Sequence, residues 1–299
     1  MKKKLVVGLF LLFLLVMTVM AIKSVGNPTK SGGIGAASTV GVIEINGSIS
    51  GGGVDSWMGA TGANSMRIMN IIQQVGKRDD IKVVVVRIDS PGGTSVASQE
   101  IAIELDKLRQ NGKKIITSMG DVCASGGYWI ACSSDYIVAN EGSLTGSIGV
   151  IMQFTNLEAL YKKIGISEEV IKSGSLKDIG SPSRKLTDEE RKLLKDIVSE
   201  SYDQFIEQVL KGREGKISRD KLLKIADGRI ISGRQALELG LVDYLGNYYD
   251  ALDIAAEQGG LGENYKVEVL SGSSFWDSLF TGVSSNIFPD SSSSVQLKY

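Results

Sequence analysis

The sequence predicts an α/β protein with a mainly parallel sheet, preceded by one N-terminal transmembrane helix. Three observations carry this reading. Strand-like runs alternate with runs of helical periodicity between Val40 and Ala139, the pattern of βαβ units. The run Ile81–Ile88, IKVVVVRI, is apolar without alternation, as expected of a strand buried on both faces. Three glycine-rich junctions each follow a predicted strand.

Taken in order, Lys2, Lys3 and Lys4 precede Leu5–Ile22, a stretch of 18 uncharged residues. As a helix it spans about 27 Å, close to the hydrocarbon thickness of a bilayer. Val19-Met20-Ala21 also fits a small-residue cleavage site, so anchor and removed signal are both readings. The apolar run exceeds the ~7–15 residues of a cleaved signal, which favours the anchor. The lysines place the N-terminus in the cytoplasm and the remainder outside. Residues 23–38 read as a flexible linker and 271–299, with Ser291–Ser294, as a poorly ordered tail. One domain is expected over 39–270.

Within it, Val40–Ile45 reads as a strand, and Ser65–Val75 as a helix with Met66, Ile68, Met69, Ile71, Ile72 and Val75 inward. Ser95–Gln110 is a helix with Ala97, Ile101, Leu105 and Leu108 on one stripe. Lys114–Met119 is a strand, Gly126–Cys132 a helix and Tyr136–Ala139 a strand. Asp188–Leu210 is a long amphipathic helix, capped by Thr187 with Glu190 three residues on.

Composition narrows the chemistry. Apolar residues make up 42% and charged residues 22%, with a net charge of −1, so nucleic acid is not an expected partner. The chain has no histidine, which excludes a Ser-His-Asp triad, a Cys-His dyad, a histidine-ligated zinc and a histidine base. No metal and no cofactor are expected. Cys123 and Cys132 flank a strand-to-helix junction, and two buried thiols are favoured over a disulfide.

The junctions are where chemistry can sit. Asp89-Ser90-Pro91-Gly92-Gly93 leads into the helix from Ser95, and its glycines leave backbone N–H groups open to an anion. The alternative is a plain turn. Gly120–Gly127 sets Ser125 at the start of a short helix, as an activated hydroxyl or as an N-cap. Gly142–Gly149 carries hydroxyls toward a cleft or simply turns the chain. Without histidine, a serine nucleophile needs another base, and a buried neutral lysine serves. Lys177, in Ser173-Gly174-Ser175-Leu176-Lys177, is a candidate that the residues alone do not single out. Ser218-Arg219-Asp220-Lys221 fits S-x-x-K but lacks the partner motifs and reads better as a helix start.

In family order and spacing, D-S-P-G-G, C-A-S-G-G-Y, T-G-S-I-G-V and S-G-S-L-K-D-I-G-S-P-S-R resemble the signal peptide peptidase A family in its short single-domain form. Asp227-Gly228-Arg229, Ser232–Ala236 and Gly240–Asp243 resemble its later segment, so the likeness spans Val40 to Gln258. Trp129 and Cys123 depart from the family pattern at positions that spacing sets away from the chemistry. The resemblance implies a Clp-protease/crotonase-like fold of repeated ββα units. It implies Ser125 as nucleophile, Lys177 as general base, Ser147 orienting the lysine, and an oxyanion hole from the Gly93 and Gly126 N–H groups. It further implies a membrane-anchored, ring-like homo-oligomer that degrades hydrophobic remnant signal peptides outside the cytoplasm. The rival readings are a related Ser–Lys peptidase acting on a membrane-protein partner and a non-catalytic scaffold. Acyl-CoA chemistry on the same fold is disfavoured by the N-terminal segment.

Overall fold

The computed structural model describes residues 39–51 and 62–271. The expected anchor, the linker and all of the tail but its first residue lie outside them. Among the described residues no helix is long and apolar enough to cross a membrane.

The chain opens with β1 (Thr39–Asn46), β2 (Ser48–Ser50), β3 (Gly62–Asn64), α1 (Ser65–Gly76), β4 (Ile81–Ser90) and α2 (Ser95–Gln110). It continues through β5 (Lys114–Ala124), α3 (Gly126–Ala131), β6 (Tyr136–Ala139), β7 (Leu144–Gly146), α4 (Glu158–Ile164) and α5 (Asp188–Gly212). It ends with α6 (Arg219–Leu223), β8 (Ile230–Ser232), α7 (Gly233–Glu238), β9 (Tyr244–Leu245), α8 (Tyr248–Gly259) and β10 (Lys266–Val269). The main sheet runs β10-β1-β4-β5-β6-β9, and every pair in that order is parallel. The mixed α/β class and the parallel sheet are those predicted.

β4 shows why. Its alternate residues serve two cores: Val84, Val86 and Ile88 face one, Val83 and Val85 the other. The first is covered by Ile68, Ile72 and Val75 of α1, Ile101 and Leu105 of α2, and Phe205 and Val209 of α5. The second is closed by Ala251, Leu252 and Ala255 of α8. Ile81, Val83, Val84, Val85, Val86 and Ile88 are all fully buried, each favoured by about 1.5–3 kcal/mol over exposure. A run without alternation is therefore what this position demands.

The helices keep their predicted stripes with one departure. Met66, expected inward, is exposed, because the buried positions of α1 recur at Ile68, Ile71, Ile72 and Val75 and leave it off that face. α5 runs to Gly212, two residues further than predicted, and Thr187 with Glu190 forms the expected capping box. β5 differs more. It was expected to end at Met119 but runs to Ala124, because its last residues pair with β7 (Val122 with Leu144, Ala124 with Gly146). Cys123 and Cys132 are both buried free thiols, and burial pushes Cys132 up to about 12.

At the C-terminal end of α5 the core holds a charge. The Arg213 side chain is 1% exposed and grips Asp243 with Nη1 at 2.7 Å and Nη2 at 3.0 Å. Its Nε donates to Gly240 O, and Asp243 also accepts from Ile137 N. Burial opposes the Asp243 charge, but the hydrogen bonds from Arg213 and Lys216 outweigh it and hold the carboxyl below its usual range. A lowered folded-state pKa stabilises above the unfolded value of ~3.9 and is lost as pH falls through the folded value. Removing one partner of a buried pair costs about 3–5 kcal/mol. Thermal unfolding of Arg213→Ala at neutral pH should show a loss of that size, and the gap to wild type should narrow once acid protonates Asp243.

Candidate active site

β5 delivers Ser125 directly from the sheet into α3. The residue has φ 51° and ψ −122°, and its side chain makes no capping hydrogen bond. The N-cap alternative is thereby set aside. Among the described residues only Ser125 and Ser147 are non-glycine residues with positive φ. Such backbone costs about 1–3 kcal/mol per residue and persists only where the surroundings over-determine it.

The surroundings do so by hydrogen bonds across three strands. Ser125 N donates to Gly146 O at 2.9 Å, and Trp129 N donates to Ser125 O at 2.9 Å. Gly146, at the end of β7, also pairs with Ile230 of β8. Ser147 N then donates to Arg229 O at 2.8 Å, and Gly228 N to Ile148 O at 3.1 Å. Asp227 accepts from the backbone N and the guanidinium of Arg229, which holds the Asp227 carboxyl down at about 2. The turn Asp227-Gly228-Arg229 thus braces one strained serine, and β7 braces the other.

Gly93 and Gly126, the two predicted oxyanion donors, line one cavity with Ser125. Ile49 N donates to Gly92 O and Thr94 N donates to Ile49 O, both at 2.9 Å, so the bridge to Ile49 leaves the Gly93 N–H unused among the described residues. A Cβ on Gly93 would lie 1.8 Å from Ile49 O. A Cβ on Gly126 would lie 2.3 Å from Ser98 Oγ and 3.2 Å from Gly93 N. Both positions therefore need glycine for close approach. Gly126 N opens α3 and has no partner within the helix. Two N–H groups beside one hydroxyl can receive an oxygen that gains charge as the hydroxyl attacks.

Gly93, Ser98, Ser125, Gly126, Trp129 and Phe205 line a cavity of about 110 Å³ together with Val150 and Ile151. Trp129 packs on Phe205 with ring centroids 5.0 Å apart. Trp129 was placed away from the chemistry by spacing; the short helix instead turns it into the cavity wall. Ser98 and Phe205 carried no sequence signal, since each is a routine position on a long helix.

Lys177 is not part of this cavity. It is exposed, in a series of tight turns where Lys177 N donates to Gly174 O and Ile179 N to Leu176 O. No residue from 149 to 189 is buried, so the whole excursion lies off the core. The competing Ser218 accepts from Lys221 N and caps α6, as its sequence suggested. Among the described residues no group of three or more His, Cys, Asp or Glu side chains is disposed to hold a metal.

Gly126→Ala drives a methyl into Ser98 Oγ and should destabilise by about 1–3 kcal/mol. Ser98→Ala in the same chain should restore part of that loss. A double-mutant cycle by denaturant unfolding checks it, with a coupling of about 0.5–3 kcal/mol expected.

A family model described as Peptidase family S49 matches residues 107–262. The chain is 49% identical to a candidate protease of Synechocystis sp. over 62% of its own length and 66% of that protein's. It is 37% identical to a candidate signal peptide peptidase of Enterococcus faecium, over 71% of this chain and 61% of that one. The chain thus spans a little under two thirds of these relatives. Among solved structures, the 1510-N membrane-bound stomatin-specific protease, solved as a mutant, aligns over 79% of this chain and 99% of its own. The TM-score is 0.50 at 14% identity, a likeness of fold. On the family model, which covers more than half of its 299 residues, the chain belongs to peptidase family S49.

Proposed function

We propose that the chain is a membrane-anchored serine endopeptidase that degrades remnant signal peptides through a Ser125–Lys177 dyad. The layout would be an anchor over 1–22, a linker over 23–38, a peptidase domain of Clp-protease/crotonase-like ββα units over 39–270, and a tail to 299. The reading rests above all on the strained backbone of Ser125 at a cavity that Gly93 and Gly126 also line. The apolar walls of Trp129, Phe205, Val150 and Ile151 suit a hydrophobic peptide.

In this mechanism neutral Lys177 takes the Ser125 proton as Oγ attacks a peptide carbonyl. The oxyanion is received by the two glycine N–H groups, each such donor contributing about 2.7–4 kcal/mol. Lys177 returns the proton to the leaving amine, and water then hydrolyses the acyl-enzyme. Ser147 orients the lysine amine.

A lysine acts as base only where burial favours its neutral form. Lys177 is exposed in the single chain, so its burial must come from another surface. The chain between residues 149 and 189 exposes Ile151 at 89% and Ile171 at 95%, apolar surface of the kind that a neighbouring subunit covers. In a ring-like homo-oligomer, each Ser125 would meet the Lys177 of a second copy.

Lys177→Arg tests the base directly. The guanidinium keeps the charge but does not lose its proton in a protein. The variant should be as inactive as Ser125→Ala on a hydrophobic fluorogenic peptide while melting like wild type; turnover within a few-fold of wild type would end the dyad assignment. Co-assembling Ser125→Ala chains with Lys177→Ala chains tests the shared site. Activity should reappear in the mixed oligomer, and an inactive mixture with confirmed exchange of subunits contradicts sharing. The anchor reading predicts that membrane-purified protein keeps its first 22 residues by intact mass.

A further inference from the structure

Between residues 149 and 189 no residue is fully buried, so the turns that carry Lys177 have no core of their own to hold them. One cation does. Arg184 reaches Asp178, the residue after Lys177, with Nε to Oδ2 at 2.9 Å and Nη2 to Oδ1 at 2.8 Å. From the same guanidinium, Nη1 reaches Glu190 Oε2 at 2.8 Å, and Nη2 also donates to Glu190 Oε1. Glu190 is 1% exposed at its side chain and belongs to the capping box of α5, where it accepts from Thr187 N at 2.8 Å. Lys172 closes the turn from the other side, its Nζ lying 2.6 Å from Asp178 Oδ1 and 2.9 Å from Ser175 O.

We propose that Arg184 is a positioning residue: it ties the Lys177-bearing turn, through Asp178, to the capped end of α5, and so sets where the lysine stands. The proposal rests on the reading of Lys177 as the base. A guanidinium fork is what the task requires, because two carboxylates are engaged at once by planar donors, and a lysine in its place is a point charge able to satisfy one. α5 in turn packs beside α3 through the Phe205–Trp129 contact. The turn is thereby referenced to the helix that begins at Ser125. Hydrogen bonds from Arg184, then Lys172, hold the Asp178 carboxyl well below the usual range. Those from Arg184 and the Thr187 backbone hold Glu190 at about 2. The clamp is therefore fully charged at neutral pH and is a fixed brace, not a switch.

Asp178→Asn and Arg184→Lys, made in the full-length chain, test this. Asp178→Asn loosens the turn but leaves the Arg184–Glu190 pair and the helix cap intact. Hydrogen exchange at the Lys177, Ile179 and Ser181 amides should quicken about fivefold or more in both variants. On a hydrophobic fluorogenic peptide, kcat should fall about 10–100-fold with KM within about twofold, and Asp178→Asn should melt like wild type. Exchange unchanged in Asp178→Asn, or kcat retained, overturns the proposal. So does a fall in activity that merely follows a fall in melting temperature in both variants. Lys177→Arg is assayed alongside: wild-type turnover there defeats the dyad reading whatever the exchange shows, whereas unchanged exchange defeats the clamp whatever Lys177→Arg shows.

Discussion

The hydrogen bond from Ser125 N to Gly146 O is the contact on which the site depends. It joins the end of β5 to the end of β7, and on either side of it the chain departs from ordinary backbone, at Ser125 and at Ser147. The strain at the two serines is not local to either. It is sustained by a short ladder of β5, β7 and β8 whose outer rail is fastened by the turn at Asp227-Gly228-Arg229. The cost of each strained residue is a kilocalorie or more, so a frame of several hydrogen bonds is the least that holds both. Strand pairing, elsewhere a matter of stability, here holds two serines in a backbone that they would not adopt alone.

The polar parts of the molecule divide along the length of α5. At its C-terminal end Arg213 and Asp243 form a buried pair inside an apolar core, and removing either partner strands a charge. At its N-terminal end Arg184, Asp178 and Glu190 form a cluster in which Glu190 is buried but its partners are not. Like networks of charge meet different surroundings. The first contributes to the stability of the fold; the second gives shape to a segment that has no core of its own.

How much of this could be read from residues alone depends on where burial is one-sided or two-sided. β4 was legible because six fully buried side chains leave it no polar face. The start of α5 was legible because Thr187 and Glu190 satisfy each other's backbone within four residues. The extension of β5 was not: the residues from Gly120 read as a glycine-rich junction, and the pairing of Val122, Cys123 and Ala124 with β7 carries the strand on. β8 and β9 are two or three residues long and hold too little sequence for any period to show. In the site, the paired glycines at 92 and 93 pointed to open backbone N–H groups, whereas Gly126 as a donor was reached by resemblance. Positive φ at a serine has no such signature, and Ser147 was reached only by resemblance. Lys177 is the extreme case, one exposed lysine among many, and the structure leaves it outside the cavity it is proposed to serve.

α5 has a mechanical consequence. Its buried apolar residues, Phe205, Ile206 and Val209, all lie in its last two turns, while Leu193 and Ile197 further up are exposed. The 25-residue helix is a cantilever, clamped at one end and loaded at the other. Its length is about 37 Å, so a tilt of a few degrees at the clamp displaces the tip by roughly 2–3 Å, several times the ~0.5 Å range of a hydrogen-bond distance. The brace ties the load to the tip, so the load follows each tilt of the helix. Steadiness at that end depends on what the exposed flank of the helix rests against.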